Sequence, residues 1–162
     1  MHHRIVLNDE DDTTRLAVAL LDHLSTGDCI LLEGPVGVGK SALARAIIQT
    51  QMQRDGQLED VPSPTFTLVQ TYETSRGLFC HSDLYRLSDS SELEELGFPD
   101  LFDNAISLIE WPERLGYMTP ERALRITLNF PDTSEVRHVA LLPSGQGWDW
   151  IDAMAQSFSQ AI

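Results

Sequence analysis

Apolar residues recur along this chain with two different periods. "RIVL" at 4–7 is a short strand-type run. From about Thr13 to Leu24 the apolar positions fall at helical spacing, behind an acidic segment, Asp9 to Asp12, that suits a helix N-terminus. "DCILLE" at 28–33 is the unbroken apolar run of a buried strand, and "SALARAIIQTQMQR" at 41–54 returns to helical spacing. "LVQTYET" and "LFCHSDLYRL", broken near Gly77, predict a hairpin or two sheet strands. "SSELEELG" pairs Ser91 with Glu94 as a capping box and ends on a glycine, which predicts a short helix. "AISLIEW" is a further strand that Pro112 stops, since proline donates nothing to a sheet ladder. "RALRITLNF" and "EVRHVALL" predict an antiparallel pair, and a last helix is expected from Trp148 onward. Alternation of this kind predicts an α/β fold of three layers around a mixed, mostly parallel sheet with antiparallel additions.

The segment between the second strand and its helix gives that outline a chemistry. "GPVGVGKS", Gly34 to Ser41, fits G-x-x-x-x-G-K-[ST] with a strand before it and a helix after it, the context a phosphate-binding loop requires. The fold expected is therefore P-loop NTPase-like. Gly34, Gly37 and Gly39 let the backbone curl round a phosphate with its N–H groups turned inward, and Pro35, Val36 and Val38 complete the curl. The helix that starts near Lys40, Ser41 and Ala42 adds about half a positive charge at its N-terminus. Lys40 is expected on the β and γ phosphates and the Ser41 hydroxyl on Mg²⁺.

Two carboxylates stand at strand ends where such a metal is usually steadied. Glu110 closes "ISLIE" and Asp83 closes the strand in "HSDLYR". One is expected to hold Mg²⁺ and the other to orient the attacking water, and the sequence does not order them. Lys40, Asp83 and Glu110 are thus the catalytic candidates, and Ser41, Glu110 and Asp83 the metal-side ones. "SPTFTL" at 63–68 occupies the position of a γ-phosphate-sensing loop, which makes Thr65 a further candidate. Trp111 has two readings, beside the nucleotide or in the core, and His81 is read as structural.

Charge narrows the partners. Eleven basic against 25 acidic residues give a net charge of −14, so a direct grip on a nucleic-acid backbone is disfavoured outside a local patch from Arg122, Arg125, Arg137 and His138. Nucleotide binding survives this field. Salt screens exposed charge beyond ~8 Å, and charge-assisted hydrogen bonds are worth ~1.5–3 kcal/mol each. No apolar run approaches the ~18 residues of a spanning helix, and the first residues lack a signal peptide's apolar core, so a single cytoplasmic domain over residues 1–162 is expected. Cys29 and Cys80 lie in apolar runs and are read as small buried hydrophobes. No D-x-x-G and no N-K-x-D occurs, which favours adenine over guanine.

Taken in order and at these separations, "GPVGVGKS", "SPTFTLV", "HSDLYRL" with "ELEELG", and "LIEWPER" closely resemble the bacterial TsaE (YjeE) family of ATPases, from about Thr13 to the strand after Arg122. The resemblance implies a Mg²⁺-dependent ATPase that supports formation of threonylcarbamoyladenosine at position 37 of transfer RNA. It implies work alongside TsaD and TsaB, with RNA contacted through that complex and a monomer as the default when partners are absent. Matched position by position, it puts Lys40 and Ser41 on phosphate and Mg²⁺, Thr65 in a switch-like loop, Asp83 and Glu110 as the acids, Trp111 as the adjoining aromatic and Thr13 near the adenine. The chain departs from the family pattern at Pro35, where an acid is common, at Ser41, usually threonine, and at Ser82, usually aromatic. Lys40 is the only basic residue of the loop, which predicts slow hydrolysis alone and acceleration by a partner; Arg86 and Arg114 are the internal arginine candidates. A small-molecule kinase and a nucleotide-gated adaptor are the alternative readings.

Overall fold

A computed structural model describes residues 3–57, 59–132 and 135–160. Strands β1 (His3–Leu7), β2 (Cys29–Glu33), β3 (Val69–Thr74), β4 (Gly77–Asp83), β5 (Ile106–Glu110), β6 (Ala123–Asn129) and β7 (Arg137–Ser144) form one sheet in the order β1-β7-β6-β2-β5-β4-β3. The middle of the sheet, β6-β2-β5-β4, is parallel throughout. Antiparallel strands extend both edges: β7 and β1 beyond β6, and β3 beyond β4. The helices are α1 (Glu10–Leu21), α2 (Lys40–Arg54), α3 (Glu92–Glu95), α4 (Asp100–Asn104) and α5 (Trp150–Gln160).

Strand alternation divides the core in two. Ile30 and Leu32, Phe79, Ile106 and Leu108 share one apolar cluster with Leu16, Leu20, Leu43, Ile47 and Ile151 from α1, α2 and α5. Cys29, Leu31, Cys80 and Ile109 point the other way and pack with Leu93, Phe98, Phe102 and Leu115. Successive residues of a strand face opposite sides, so β2, β4 and β5 each serve both layers. Both cysteines are free and buried, and burial pushes the Cys29 thiol up to about 12 and the Cys80 thiol up to about 11. Among the described residues no helix is long and apolar enough to cross a membrane.

Boundaries depart from the sequence pattern where local hydrogen bonds decide them. Helix α1 begins at Glu10, three residues before the apolar period, because the Asp9 carboxylate accepts from the Asp12 N–H at 2.9 Å and caps the first turn. The expected capping box at Ser91 does not form. Ser91 has helical backbone angles and its side chain makes no cap; its N–H donates instead to Asp89 Oδ1 at 3.0 Å. Helix α5 starts at Trp150 rather than Trp148, whose ring is buried and whose Nε1 donates to the Ser144 carbonyl. Arg122 pairs with Asp28 and Arg125 with Glu33, so two members of the suspected basic patch are matched by acids.

Candidate functional site

The site follows from three strand ends meeting one helix start. Strands β2, β4 and β5 run parallel, so their C-terminal ends lie at one edge of the sheet, the usual ligand-binding edge of open α/β sheets. Between β2 and α2 the chain turns through Gly34 and Gly37 and enters the helix at Gly39, all at positive φ. At Gly34 no other residue fits: with φ 146°, an added Cβ would stand 2.5 Å from the Leu128 carbonyl oxygen and 2.8 Å from Val38 Cγ1. Val38 is buried in the core, so the loop is anchored from within while Val36 at its tip is exposed.

A cavity of about 490 Å³ opens at this edge. Val36, Gly37 and Gly39 line it from the loop, and Lys40, Ser41 and Ala42 from the first turn of α2. Asp83, Glu110 and Trp111 come from the ends of β4 and β5, with Tyr85 just beyond and Thr65 from the loop before β3. Of the sequence-predicted residues, Gly34, Pro35 and Val38 do not line the cavity. Thr13 is half-buried on α1, its N–H donating to the Asp9 carbonyl, and it does not line the cavity. A larger cavity, about 610 Å³, lies between α1 and α5, walled largely by apolar side chains such as Val18, Met154 and Phe158, without a glycine-rich loop.

Alternation explains which acids converge. Ile106, Leu108 and Glu110 share one face of β5, and Phe79, His81 and Asp83 the same face of β4; Glu110 stands opposite Asp83 in the register. That face looks toward α2, so the first helical turn meets the carboxylates. The Ser41 hydroxyl lies 2.8 Å from Glu110 Oε1 and 2.9 Å from Oε2. Glu110 is only 2% exposed, and its Oε2 also lies 2.7 Å from Nε2 of the buried His81. Asp83 serves a different neighbour: its Oδ2 accepts from the Thr65 hydroxyl at 3.3 Å and its Oδ1 from the Tyr85 N–H at 3.1 Å. The Asp83 N–H donates to the Leu68 carbonyl at 3.0 Å, tying the Thr65 loop to the end of β4.

Lys40 sits at the centre. Its ammonium donates to the Gly34 and Pro35 carbonyls and lies 4.0 Å from the centre of the Trp111 ring. Burial pulls it below the ordinary lysine range, while the Glu110, Asp83 and Glu113 carboxylates offset part of that effect. Trp111 answers both of its readings at once, since one part packs on the second core cluster and another lines the cavity. It holds φ 57°, ψ 53°, a costly conformation for a tryptophan, and so turns the chain sharply from β5 into the short helical segment at Pro112–Met118. His81 is the residue that sequence reasoning undervalued. The spacing His-x-Asp put it on the same face as Asp83, and only the pairing of β4 with β5 brings it to Glu110.

The arrangement can take a triphosphate with a hard cation. The oxygens on offer are one hydroxyl and two carboxylates, which suit Mg²⁺, an ion that keeps several waters and takes only one or two protein carboxylates beside phosphate. Among the described residues no group of three or more His, Cys, Asp and Glu side chains converges as a metal cage. Lys40 is the only cation among the lining residues; Arg86 instead stacks on Phe66 and Arg114 donates to the Leu87 carbonyl.

A family model described as "Threonylcarbamoyl adenosine biosynthesis protein TsaE" matches residues 7–139. The chain is 36% identical over 131 residues to the tRNA threonylcarbamoyladenosine biosynthesis protein TsaE of Rickettsia felis, covering 81% of this chain and 75% of the relative. It is 35% identical over 121 residues to the TsaE of Haemophilus influenzae, covering 74% and 73%. Among solved structures, Bacillus subtilis YdiB superposes with a TM-score of 0.74 over 99% of this chain and 96% of the other at 18% identity, a likeness of fold.

Proposed function

The chain belongs to the TsaE family, and on that premise we propose that it is a Mg²⁺-dependent ATP hydrolase that supports threonylcarbamoyladenosine formation on transfer RNA. The observation that carries the reading is the meeting of Ser41 with Glu110 at 2.8–2.9 Å beneath a glycine-rich loop centred on Lys40. Backbone N–H groups of the loop and the N-terminus of α2 bind the phosphates. Lys40 leaves the Gly34 and Pro35 carbonyls for phosphate oxygens, and Ser41 and Glu110 hold the metal side. When bound, Mg²⁺ would neutralise charge on the terminal phosphates. Asp83, tied to Thr65 rather than to Ser41, orients the attacking water and couples it to the loop that senses the γ-phosphate.

This division of labour leaves one part missing. Among the described residues no arginine lines the cavity, so transition-state charge is poorly neutralised by the chain alone. Hydrolysis is therefore slow in isolation and rises when TsaD- and TsaB-type partners bind, a contribution that in other NTPases is worth ~10³–10⁵ in rate. RNA is reached through that complex, in keeping with a net charge of −14. The kinase alternative gains nothing from the structure: α3 and α4 follow Asp83 in sequence, but Leu93 and Phe102 from them and Phe98 between them pack into the second core cluster and do not line the cavity.

Calorimetric titration tests the binding half. ATP is expected to bind more tightly than GTP and more tightly with Mg²⁺ than without. Lys40→Ala should weaken ATP by about 10–100-fold, the loss of one charge-assisted hydrogen bond. Equal affinity in that variant would remove the loop from the site. Phosphate release with and without the partner complex tests the second half, and an unchanged rate on mixing would reject the partner-stimulated mechanism in favour of a nucleotide-gated adaptor.

A further inference from the structure

We propose that His81 is a positioning residue that fixes the Glu110 carboxylate for the metal side of the site, an inference that rests on the reading of the cavity as a Mg²⁺-nucleotide site. Three observations carry it. First, the pair is sealed: the His81 and Glu110 side chains are 1% and 3% exposed, with Nε2 2.7 Å from Oε2. Second, the other ring nitrogen, Nδ1, is buried without any hydrogen-bond partner among the described residues. A proton there would be a buried donor with nothing to accept it, whereas a proton on Nε2 meets a carboxylate; the structure thus assigns the Nε2–H tautomer. Third, the donors arrive from two different elements, His81 from β4 and Ser41 from α2. Together they leave Glu110 little freedom to rotate, and the carboxylate is presented to the cavity in one orientation.

The consequence is specific. A metal held through one or two carboxylates and waters depends on the direction of those oxygens, and loss of an orienting partner of this kind typically costs 10–100-fold in metal affinity or activity. Among the described residues His81 makes no direct hydrogen bond to the loop and reaches Ser41 only through Glu110, so nucleotide affinity without metal should change little.

The tautomer can be read without nucleotide or metal, from long-range ¹⁵N–¹H spectra of the free protein. His81 should give the Nε2–H pattern, and Glu110→Ala should change it. An Nδ1–H pattern in the wild type would overturn the proposal. In a second arm, Mg²⁺ is titrated at fixed ATP. His81→Leu should raise the Mg²⁺ requirement about tenfold or more while metal-free ATP binding stays within about twofold of wild type. His81→Gln, whose amide nitrogen falls near the position of Nε2, should restore most of the loss, and His81→Asn, one carbon shorter, should not. In a Glu110→Ala background His81→Leu should add nothing further. An unchanged Mg²⁺ requirement in His81→Leu, or equal behaviour of the Gln and Asn variants, would reduce His81 to a core residue. Should His81→Leu fail to fold, the Gln–Asn comparison and the spectra still decide. Absence of any metal dependence in the wild type would instead strike the reading of the cavity, and the tautomer result then judges His81 alone.

Discussion

Glu110→Ala is expected to lower ATP turnover by about 10²-fold or more while leaving metal-free ATP binding close to wild type. The carboxylate is removed from the place where Ser41 and His81 converge, so the metal side of the site loses both a ligand group and the acceptor that orders its neighbours. One buried donor, His81, is then left without a partner, which adds a stability cost of about 1–3 kcal/mol, while the half-buried Ser41 hydroxyl can turn to the cavity. Glu110→Gln separates the two effects. Its amide keeps the volume and one acceptor oxygen but cannot accept from Ser41 and His81 on both arms, so turnover should fall nearly as far with a smaller change in unfolding free energy. Asp83→Asn is the contrasting variant. Asp83 bonds to Thr65 and to the Tyr85 N–H, not to Ser41, so it should reduce turnover without abolishing the enhancement of ATP binding by Mg²⁺. Steady-state phosphate release together with ATP titrations at several Mg²⁺ concentrations distinguishes the two acids. Retention of hydrolysis within about threefold in Glu110→Ala would remove it from the chemistry.

That distinction marks the limit of what the sequence discloses. "ISLIE" and "HSD" each reveal their own alternation: Glu110 must share a face with Leu108, and Asp83 with His81. Which acid meets Ser41 is a question of sheet order and register, and these depend on contacts between segments far apart in the chain. Once β5 is inserted between β2 and β4, with Glu110 level with Leu32 and Asp83, the answer is forced. His81 was hidden for the same reason. A lone histidine in an apolar strand is ordinarily core, and only a neighbour two residues along the adjacent strand gives it an acceptor.

The fold itself was legible because burial periods are strong signals. The two-sided strand in "DCILLE", the glycine-rich turn and the helix after it predict the strand–turn–helix that the structure shows, almost without tertiary information. Helix ends were less legible. Asp9 supplies the α1 cap one residue before Glu10, where an acidic run offers several equivalent candidates, and the Ser91 capping box lost to an Asp89 turn whose carboxylate accepts from the Ser91 N–H, one of the two groups the box would have satisfied. Such alternatives differ by about 1 kcal/mol, too little for a local pattern to rank.

Gly34→Ala should have the largest effect on stability of any single methyl added to the loop, and Gly37→Ala should behave oppositely. Both glycines hold positive φ, 146° and 81°, so both substitutions carry backbone strain of about 1–2 kcal/mol. Their surroundings differ. The Cβ at Gly34 would lie 2.5 Å from the backbone oxygen of Leu128 and 2.8 Å from Val38 Cγ1, whereas the Cβ at Gly37 meets nothing within 4 Å. Relief at Gly34 requires β6 and the phosphate loop to separate, and β6 is the immediate neighbour of β2 in the parallel core, so the strain spreads into the sheet. We expect Gly34→Ala to lose about 3 kcal/mol or more, a drop of roughly 6–12 °C in Tm for a chain of this size. Gly37→Ala should lose no more than about 1–2 kcal/mol by the same measure. It should weaken ATP more sharply, because Gly37 lines the cavity and its methyl group stands where the phosphates must approach. Thermal unfolding and ATP titration on the two variants give a crossed pattern. Parallel losses of stability and affinity in both would mean that the loop is an ordinary tight turn rather than a surface shaped to a ligand.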